Sequence, residues 1–249
     1  MLAQDVLDFW FLPRSDPGYG KARPEWFRKD PAFDAVVAGR FGALIAQAVA
    51  GGLREWDLEG PEGRLARIPV LDQFTRNAHR DTPLAFAGDT LALAAARQLV
   101  DSGADRQLEP QARAFAYMPF EHAEDARMQE CAVELFGQLA REHEGFVEML
   151  DYAHRHRGVI ARFGRFPHRN PILGRASTPD ELQYRASPAP GSDGGSAQYR
   201  RRRPRRPRAW PPVCRCRRVR RPGRADALPD QCRGGGALHR RRPRAGPKR

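Results

Sequence analysis

Cysteine is scarce in this chain, and its distribution excludes a disulfide framework for most of the sequence. The 249 residues contain four cysteines, of which only Cys131 precedes residue 186. One cysteine cannot supply the set of bridges that stabilises small secreted domains. Long hydrophobic runs are also absent, since the longest uncharged stretch before residue 186 covers the 13 residues of 41–53 and is too short to cross a bilayer. No basic segment precedes an apolar stretch at the N-terminus. We therefore expect a cytoplasmic protein with no membrane partner.

Acidic and basic side chains are divided unevenly along the chain. Residues 186–249 hold 20 of the 43 lysines and arginines but 3 of the 30 acids, which leaves 23 basic and 27 acidic side chains in 1–185. The first part is weakly acidic, so it is not a general nucleic-acid-binding domain. The second part lacks Phe, Ile, Met and Glu and cannot bury enough apolar surface to offset its ordering entropy. We expect 186–249 to be a disordered tail.

Two interpretations of the tail stay open. Its arginine run from Arg200 can neutralise phosphates, so nucleic acid is a partner only through this segment. The abrupt change in composition is also what an out-of-frame extension produces, and we favour that origin. Cys214, Cys216 and Cys232 with His239 lack the spacing of a zinc site, so no metal site is predicted. The sequence indicates no particular cofactor.

Alternating β-branched residues, which are typical of strands, are missing from 1–185, whereas apolar residues recur there at helical spacing. We predict one all-α domain of about seven helices over 1–185. One helix begins at Asp30 and Pro31, another covers 64–77 around Pro69, and a third covers 89–102 with Asp89 as its cap. Further helices are predicted at 109–120, 121–142 and 146–163.

A first polar segment occupies 71–77. If it is helical, Asp72 stands four residues before Arg76, and Gln73 stands four residues before Asn77. These side chains then form one hydrogen-bonding wall. The alternative is an ordinary ion pair on a solvated helix surface.

A second polar segment occupies 119–125. Helical geometry predicts that Glu121, Glu124 and Asp125 lie together, with His122 within reach of Asp125. Crowded carboxylates raise one another's pKa, and a neighbouring Asp can orient a histidine. Glu121, His122 and Asp125 are therefore the catalytic candidates. The alternative is an acidic first turn favoured by the helix dipole.

A third polar segment, 152–170, concentrates five arginines and three histidines. Arginine offers fixed forks of donors for carboxylate or phosphate, so we expect an anion to bind here. His154 and His156 point about 200° apart on a helix, so at most one of them faces the site. The alternative is salt bridging to the acidic segments. The proposed anion ligands are Arg162, Arg165, His168 and Arg169.

The motifs together are distinctive. In chain order they are Asp8-Phe9-Trp10-Phe11, Trp26-Phe27, Leu71-Asp72-Gln73-Phe74 with Arg76-Asn77, Glu121-His122 with Glu124-Asp125, and 162–170 with its sequence RFGRFPHRN. From about residue 5 to about residue 184 the chain resembles the bacterial domain-of-unknown-function 924 (DUF924) family. The resemblance implies an all-helical fold grouped with tetratricopeptide-like superhelices, and it implies no established reaction or ligand. Thr75 stands where the family usually has Pro.

Two functional hypotheses follow. In the first, the polar segments converge into a pocket for a small anionic ligand, where Asp72, Arg76 and Asn77 orient the ligand and hydrolysis or group transfer takes place. In the second, the domain is a non-catalytic tetratricopeptide-like module that binds a peptide or protein partner, which rests on fold analogy.

Overall fold

Residues 1–186 are the part of the chain that the computed structural model describes, and they contain helices, turns and loops but no strand. This confirms the predicted all-α single domain. The predictions made for the tail beyond residue 186, including its disorder and its nucleic-acid binding, lie outside the described residues.

The helices are numbered in chain order. They are α1 Ala3–Phe11, α2 Pro31–Val49, α3 Gly60–Pro69, α4 Thr75–Ala78, α5 Asp89–Asp101, α6 Pro110–Glu121, α7 Ala126–Glu142, α8 Val147–Phe163 and α9 Pro179–Ala186. A π-helical segment, Val70–Phe74, joins α3 to α4 without a break. The run 60–78 therefore counts as one helix, and residues 1–186 hold about eight helices.

Several helix ends follow from local chemistry. The Asp30 carboxylate accepts hydrogen bonds from the first free backbone N–H groups of α2, and Pro31 occupies the first turn, as predicted. Gly164 ends α8 with a φ of 70°, the left-handed region that glycine adopts at low cost. Gly88 rather than Asp89 caps α5, because Asp89 already has the helical conformation and its side chain is engaged elsewhere.

The predicted helix 121–142 is wrong at its start. Helix α6 continues through Pro119 to Glu121, and α7 begins only at Ala126, so 122–125 form a loop between two helices. The carboxylate of Asp125 caps α7 by accepting hydrogen bonds from the N–H groups of Arg127 and Met128. The second polar segment therefore connects α6 to α7, and its acidic side chains contact different partners.

Aromatic side chains fill the core between α1, α2 and α6. The rings of Trp10 and Phe115 lie 5.5 Å apart edge to face, and Trp26 approaches Phe115 to 4.7 Å between centroids. Phe41 and Phe74 pack at 4.7 Å, which joins α2 to the π segment. Such contacts bury large apolar area and stabilise the domain.

Helix α2 is the one helix within residues 1–186 that is long and apolar enough to cross a membrane, a test that core helices also pass. Its buried stripe, which includes Val37, Phe41 and Ile45, packs against α4 and the π segment. Asp34 on the same helix forms an ion pair with Arg80 at 2.6 Å. These are the contacts of a helix packed on the domain core.

Candidate functional site

The π segment fixes the position of the central carboxylate. Pro69 has no N–H to donate, so the regular helical ladder is interrupted there, and the following residues Val70–Phe74 widen into a π turn. The buried hydroxyl of Thr75 donates to the carbonyl oxygen of Leu71 at 2.8 Å. The wider turn carries Asp72 into the interior, where it is 1% exposed. Single π turns within α-helices are frequent at functional sites.

Gly88 brings α5 against the same segment. An added Cβ at Gly88 would lie 2.1 Å from the carbonyl oxygen of Leu71, so only glycine permits this approach. The next residue, Asp89, is thereby placed beside the segment. Its carboxylate forms an ion pair with Arg76 at 2.8 Å and accepts a hydrogen bond from that guanidinium at 3.1 Å.

The carboxylate of Asp72 contacts the ring of His122. Its Oδ1 lies 2.7 Å from Nδ1 of His122, and its Oδ2 accepts from the Gln73 amide. Burial alone raises the pKa of Asp72, but the charges of Arg76 and His122 and the hydrogen bonds it accepts outweigh burial, so its pKa lies well below the ordinary value. The ionised carboxylate requires Nδ1 to carry its proton, which leaves Nε2 of His122 for a ligand. The His122 side chain is 20% exposed.

Two arginines surround this pair. Arg76 contacts Asp72 at 3.1 Å, and Arg169 donates to Asp89 at 3.1 Å and to the carbonyl oxygen of His122 at 3.0 Å. The Arg169 guanidinium lies between the rings of Phe86 and Phe166, at 4.6 and 4.7 Å from their centroids. Burial, followed by the charge of Arg76, lowers the pKa of Arg169 to about 10, so it keeps its charge at neutral pH.

A second carboxylate–histidine pair stands beside the first. The Nδ1 atom of His156 on α8 lies 2.7 Å from Oε1 of Glu121 and 3.0 Å from the carbonyl oxygen of Tyr152. Burial lowers the pKa of His156, but the hydrogen bond and charge of Glu121 outweigh it, so the pKa is raised. The rings of His122 and His156 lie 6.4 Å apart between centroids. We call the group Asp72, His122, Glu121, His156 and Arg169 the histidine cluster.

Comparison with protein families matches residues 6–189 to "Bacterial protein of unknown function (DUF924)". The chain belongs to the DUF924 family. Among solved structures, the chain is similar to a protein of unknown function from Agrobacterium tumefaciens, ATU0120, with 40% sequence identity and a TM-score of 0.63 over 73% of this chain and 95% of that chain. A search of the curated proteins found no match. The family and its relative thus fix the fold and leave the chemistry to the site itself.

The DUF924 domain brings the three polar segments together, although by other contacts than the sequence predicted. His122 is held by Asp72 of the first segment and not by Asp125, which caps α7. Glu121 faces His156 of the third segment. The predicted cluster of Glu121 with Glu124 and Asp125 is wrong, because the helix break at 122–125 separates them and Glu124 forms a bidentate ion pair with Arg175 at 2.6 and 2.9 Å.

Two predicted anion ligands lie outside the histidine cluster. Arg165 forms a bidentate pair with Glu181 of α9 at 2.7 and 2.8 Å, and Arg162 stacks on the rings of Phe163 and Tyr184. They line an open depression of about 580 Å³ between the end of α8 and the start of α9. Their partners tie α9 to the domain, and their role as anion ligands stays a prediction.

Two further candidates lie at the margin. Asn77 donates to Asp34 of α2 at 2.8 Å and so supports packing. His168 reaches solvent, and its ring lies 5.6 Å from that of Phe166. The protein packed around that ring, followed by the charges of Arg169 and His156, lowers the pKa of His168. His168 therefore borders the histidine cluster in its neutral form.

Sequence reasoning missed three participants. Asp89 was interpreted as a cap although its carboxylate binds two arginines, and Phe86 was not singled out although it stacks on Arg169. His156 was left undecided against His154, and the structure places His156 in the cluster. A signal for Asp89 was available, because Gly88 directly precedes it and a glycine before a helix start permits close packing. Within residues 1–186 no group of three or more His, Cys, Asp or Glu side chains is arranged to hold a metal ion.

Proposed function

We propose that this DUF924 domain binds a small anionic ligand at the histidine cluster and catalyses hydrolysis or group transfer there, with His122 as the general base. The observation that carries the proposal is the Asp72–His122 pair. A fully buried, ionised carboxylate at 2.7 Å fixes the tautomer and orientation of a partly exposed imidazole. That is the arrangement by which a histidine accepts a proton from a nucleophile.

Arg169 supplies the attraction for an anion. Its side chain is 8% exposed, and its Nε–H has no hydrogen-bond partner among residues 1–186. A buried donor without a partner costs free energy, about 1–3 kcal/mol, which an entering oxygen atom recovers. The rings of Phe86 and Phe166 lie 4.6 and 4.7 Å from the guanidinium and restrict the orientations open to its plane.

Isothermal titration calorimetry with inorganic phosphate and with small carboxylates tests the proposal. We expect binding to the wild-type chain, and a loss of tenfold or more in affinity for His122→Ala, about 1.4 kcal/mol. The matched control is His154→Ala, which removes a histidine from α8 outside the cluster. Equal affinity in all three proteins, or no binding of any anion by a folded wild type, contradicts the proposal and favours a peptide or protein partner.

We also propose that the helices stack as a tetratricopeptide-like array. The support is that α6, α7 and α8 are joined by short connections and each packs against the next. Consecutive helical hairpins of this kind build superhelices with a concave face. Small-angle scattering of the isolated chain tests this arrangement.

A further inference from the structure

The histidine cluster contains two carboxylate–histidine pairs with the same geometry. In each case a carboxylate holds Nδ1 of a histidine at 2.7 Å, Asp72 for His122 and Glu121 for His156. The carboxylates are 1% and 6% exposed, whereas the histidine side chains are 20% and 29% exposed. Each buried acid therefore supports one imidazole whose Nε2 is left for a ligand. The ring centroids lie 6.4 Å apart, a separation that a small tetrahedral group spans with two hydrogen bonds of about 2.9 Å when both Nε2 atoms face it.

We propose that the substrate is a phosphodiester, and that His156 donates the proton to the leaving oxygen while His122 accepts the proton of the attacking water. This inference rests on the proposed function, since it assigns a substrate class and a second catalytic residue to the same site. Arg169 holds a non-bridging oxygen of the phosphate through its unpartnered Nε–H.

The step balances without a further reactant. Nε2 of His122 takes a proton from water, the water oxygen forms a bond to phosphorus, and the bond from phosphorus to the leaving oxygen breaks. Nε2–H of His156 gives its proton to that oxygen, which leaves as an alcohol. The products are a phosphomonoester and an alcohol, and proton exchange with solvent returns both histidines to their starting forms.

The surroundings of the two histidines favour these different roles. Glu121 and the carbonyl oxygen of Tyr152 both face Nδ1 of His156 and raise its pKa against the effect of burial and of the Arg169 charge. The charged state of His156 is thereby favoured, and a protonated imidazole is the form that donates. Burial and the charges of Arg169 and His156 lower the pKa of His168, the third neighbour, so its neutral form is favoured.

The charges at the site favour a diester over a monoester. Arg76 and Arg169 are offset by Asp72 and Asp89, and a protonated His156 is offset by Glu121. The site therefore has no large excess of positive charge for a dianionic phosphomonoester. A singly charged diester matches it, and its cleavage places developing charge on both the attacking and the leaving oxygen, where the two imidazoles stand.

The dependence of the rate on the leaving group tests the role of His156. Bis(4-nitrophenyl) phosphate releases an acidic phenol that leaves without a proton, whereas diphenyl phosphate releases phenol, whose pKa of about 10 matches that of tyrosine. We expect His156→Ala to slow cleavage of diphenyl phosphate by about 10²–10⁴-fold while bis(4-nitrophenyl) phosphate loses less than about tenfold. His122→Ala is expected to slow both esters alike, and His154→Ala is the control that slows neither. His156→Gln serves as a second variant if His156→Ala does not fold.

The other outcomes each have a definite meaning. Equal losses on both esters in folded His156→Ala would show a structural role and overturn the assignment of the acid. A wild type that binds phosphate in calorimetry but cleaves neither diester, or cleaves only the monoester 4-nitrophenyl phosphate, overturns the phosphodiester assignment while the anion site stands. Failure to bind any anion removes the proposed function as well.

Discussion

Replacing Asp72 by Asn tests how far the buried carboxylate organises the site. The change keeps the shape of the side chain but removes the charge that His122, Arg76 and Gln73 share. Asparagine can still accept the hydrogen bond from His122, so the site is not emptied. The substitution removes the charge-assisted contacts that this carboxylate makes in the interior, where Asp72 is 1% exposed.

The size of the destabilisation depends on whether Arg76 keeps another acidic partner. Removing one member of a buried ion pair costs about 3–5 kcal/mol when the other charge is left alone. Here Arg76 keeps Asp89 at 2.8 Å, so its charge stays compensated. We therefore expect Asp72→Asn to lower the free energy of unfolding by about 1.5–3 kcal/mol, the range of hydrogen bonds to a charged group.

Urea denaturation at pH 7, 5 and 3 measures this difference. The pKa of Asp72 is lowered in the folded state, so its contribution is complete above the unfolded value of about 3.9 and is lost as pH falls toward the folded pKa. The gap between wild type and Asp72→Asn should be full at pH 7 and shrink at pH 3. Asp101→Asn, an exposed position on α5, is the control and should change stability by less than about 0.5 kcal/mol. A gap of that small size for Asp72→Asn, or one that does not depend on pH, would refute the reasoning.

Three further changes have direct measurements. Gly88→Ala places a Cβ 2.1 Å from a backbone oxygen and should destabilise the domain by about 1–3 kcal/mol in thermal unfolding. Gly39→Ala, in open space on α2, is the control and should stabilise it by about 0.5–1 kcal/mol. The opposite order of stabilities would contradict the close packing at Gly88. Asp125→Ala removes the cap of α7 and should cost about 1 kcal/mol while phosphate affinity stays unchanged, and a loss of affinity would return Asp125 to the site. The pKa of His156 is raised because its partner Glu121 outweighs burial. Its contribution to stability should therefore be full below about pH 6.5 and decline as pH rises through the folded pKa. Denaturation of a His156→Gln variant at pH 6 to 9 tests this, and a variant that keeps the same decline argues against the His156–Glu121 pair.

Local chemistry made most of the fold predictable from sequence. The start of a helix at Asp30 and Pro31 and the helix 146–163 rest on signals within a few residues, and both appear in the structure as α2 and α8. The start of α7 was missed, although Asp125 caps it by the same local pattern as Asp30. Pro119 is tolerated inside α6, and the helix end at Glu121 depends on tertiary contacts such as the Gln129 amide, which donates to the carbonyl oxygens of Glu121 and Ala123.

The candidate site was predictable in its segments but not in its pairs. Residue types identified Asp72, His122 and Arg169 as members, because three polar segments in a helical chain are conspicuous. Which acid meets which histidine depends on the π turn after Pro69 and on the close approach of Gly88 to Leu71, and the second of these is a long-range consequence of packing. Helical spacing alone pairs His122 with Asp125, three positions along the chain, whereas its actual partner Asp72 lies 50 positions away.

The most direct test of the account is a phosphate titration followed by nitrogen chemical shifts of the histidine rings. If the two carboxylate–histidine pairs hold one anion between them, Nε2 of His122 and of His156 should shift together with a single dissociation constant. His143 and His154, on the same protein, should not follow that curve. Shifts confined to His143 or His154, or none at His122 and His156 at saturating phosphate, would contradict the claim that the histidine cluster is the functional site.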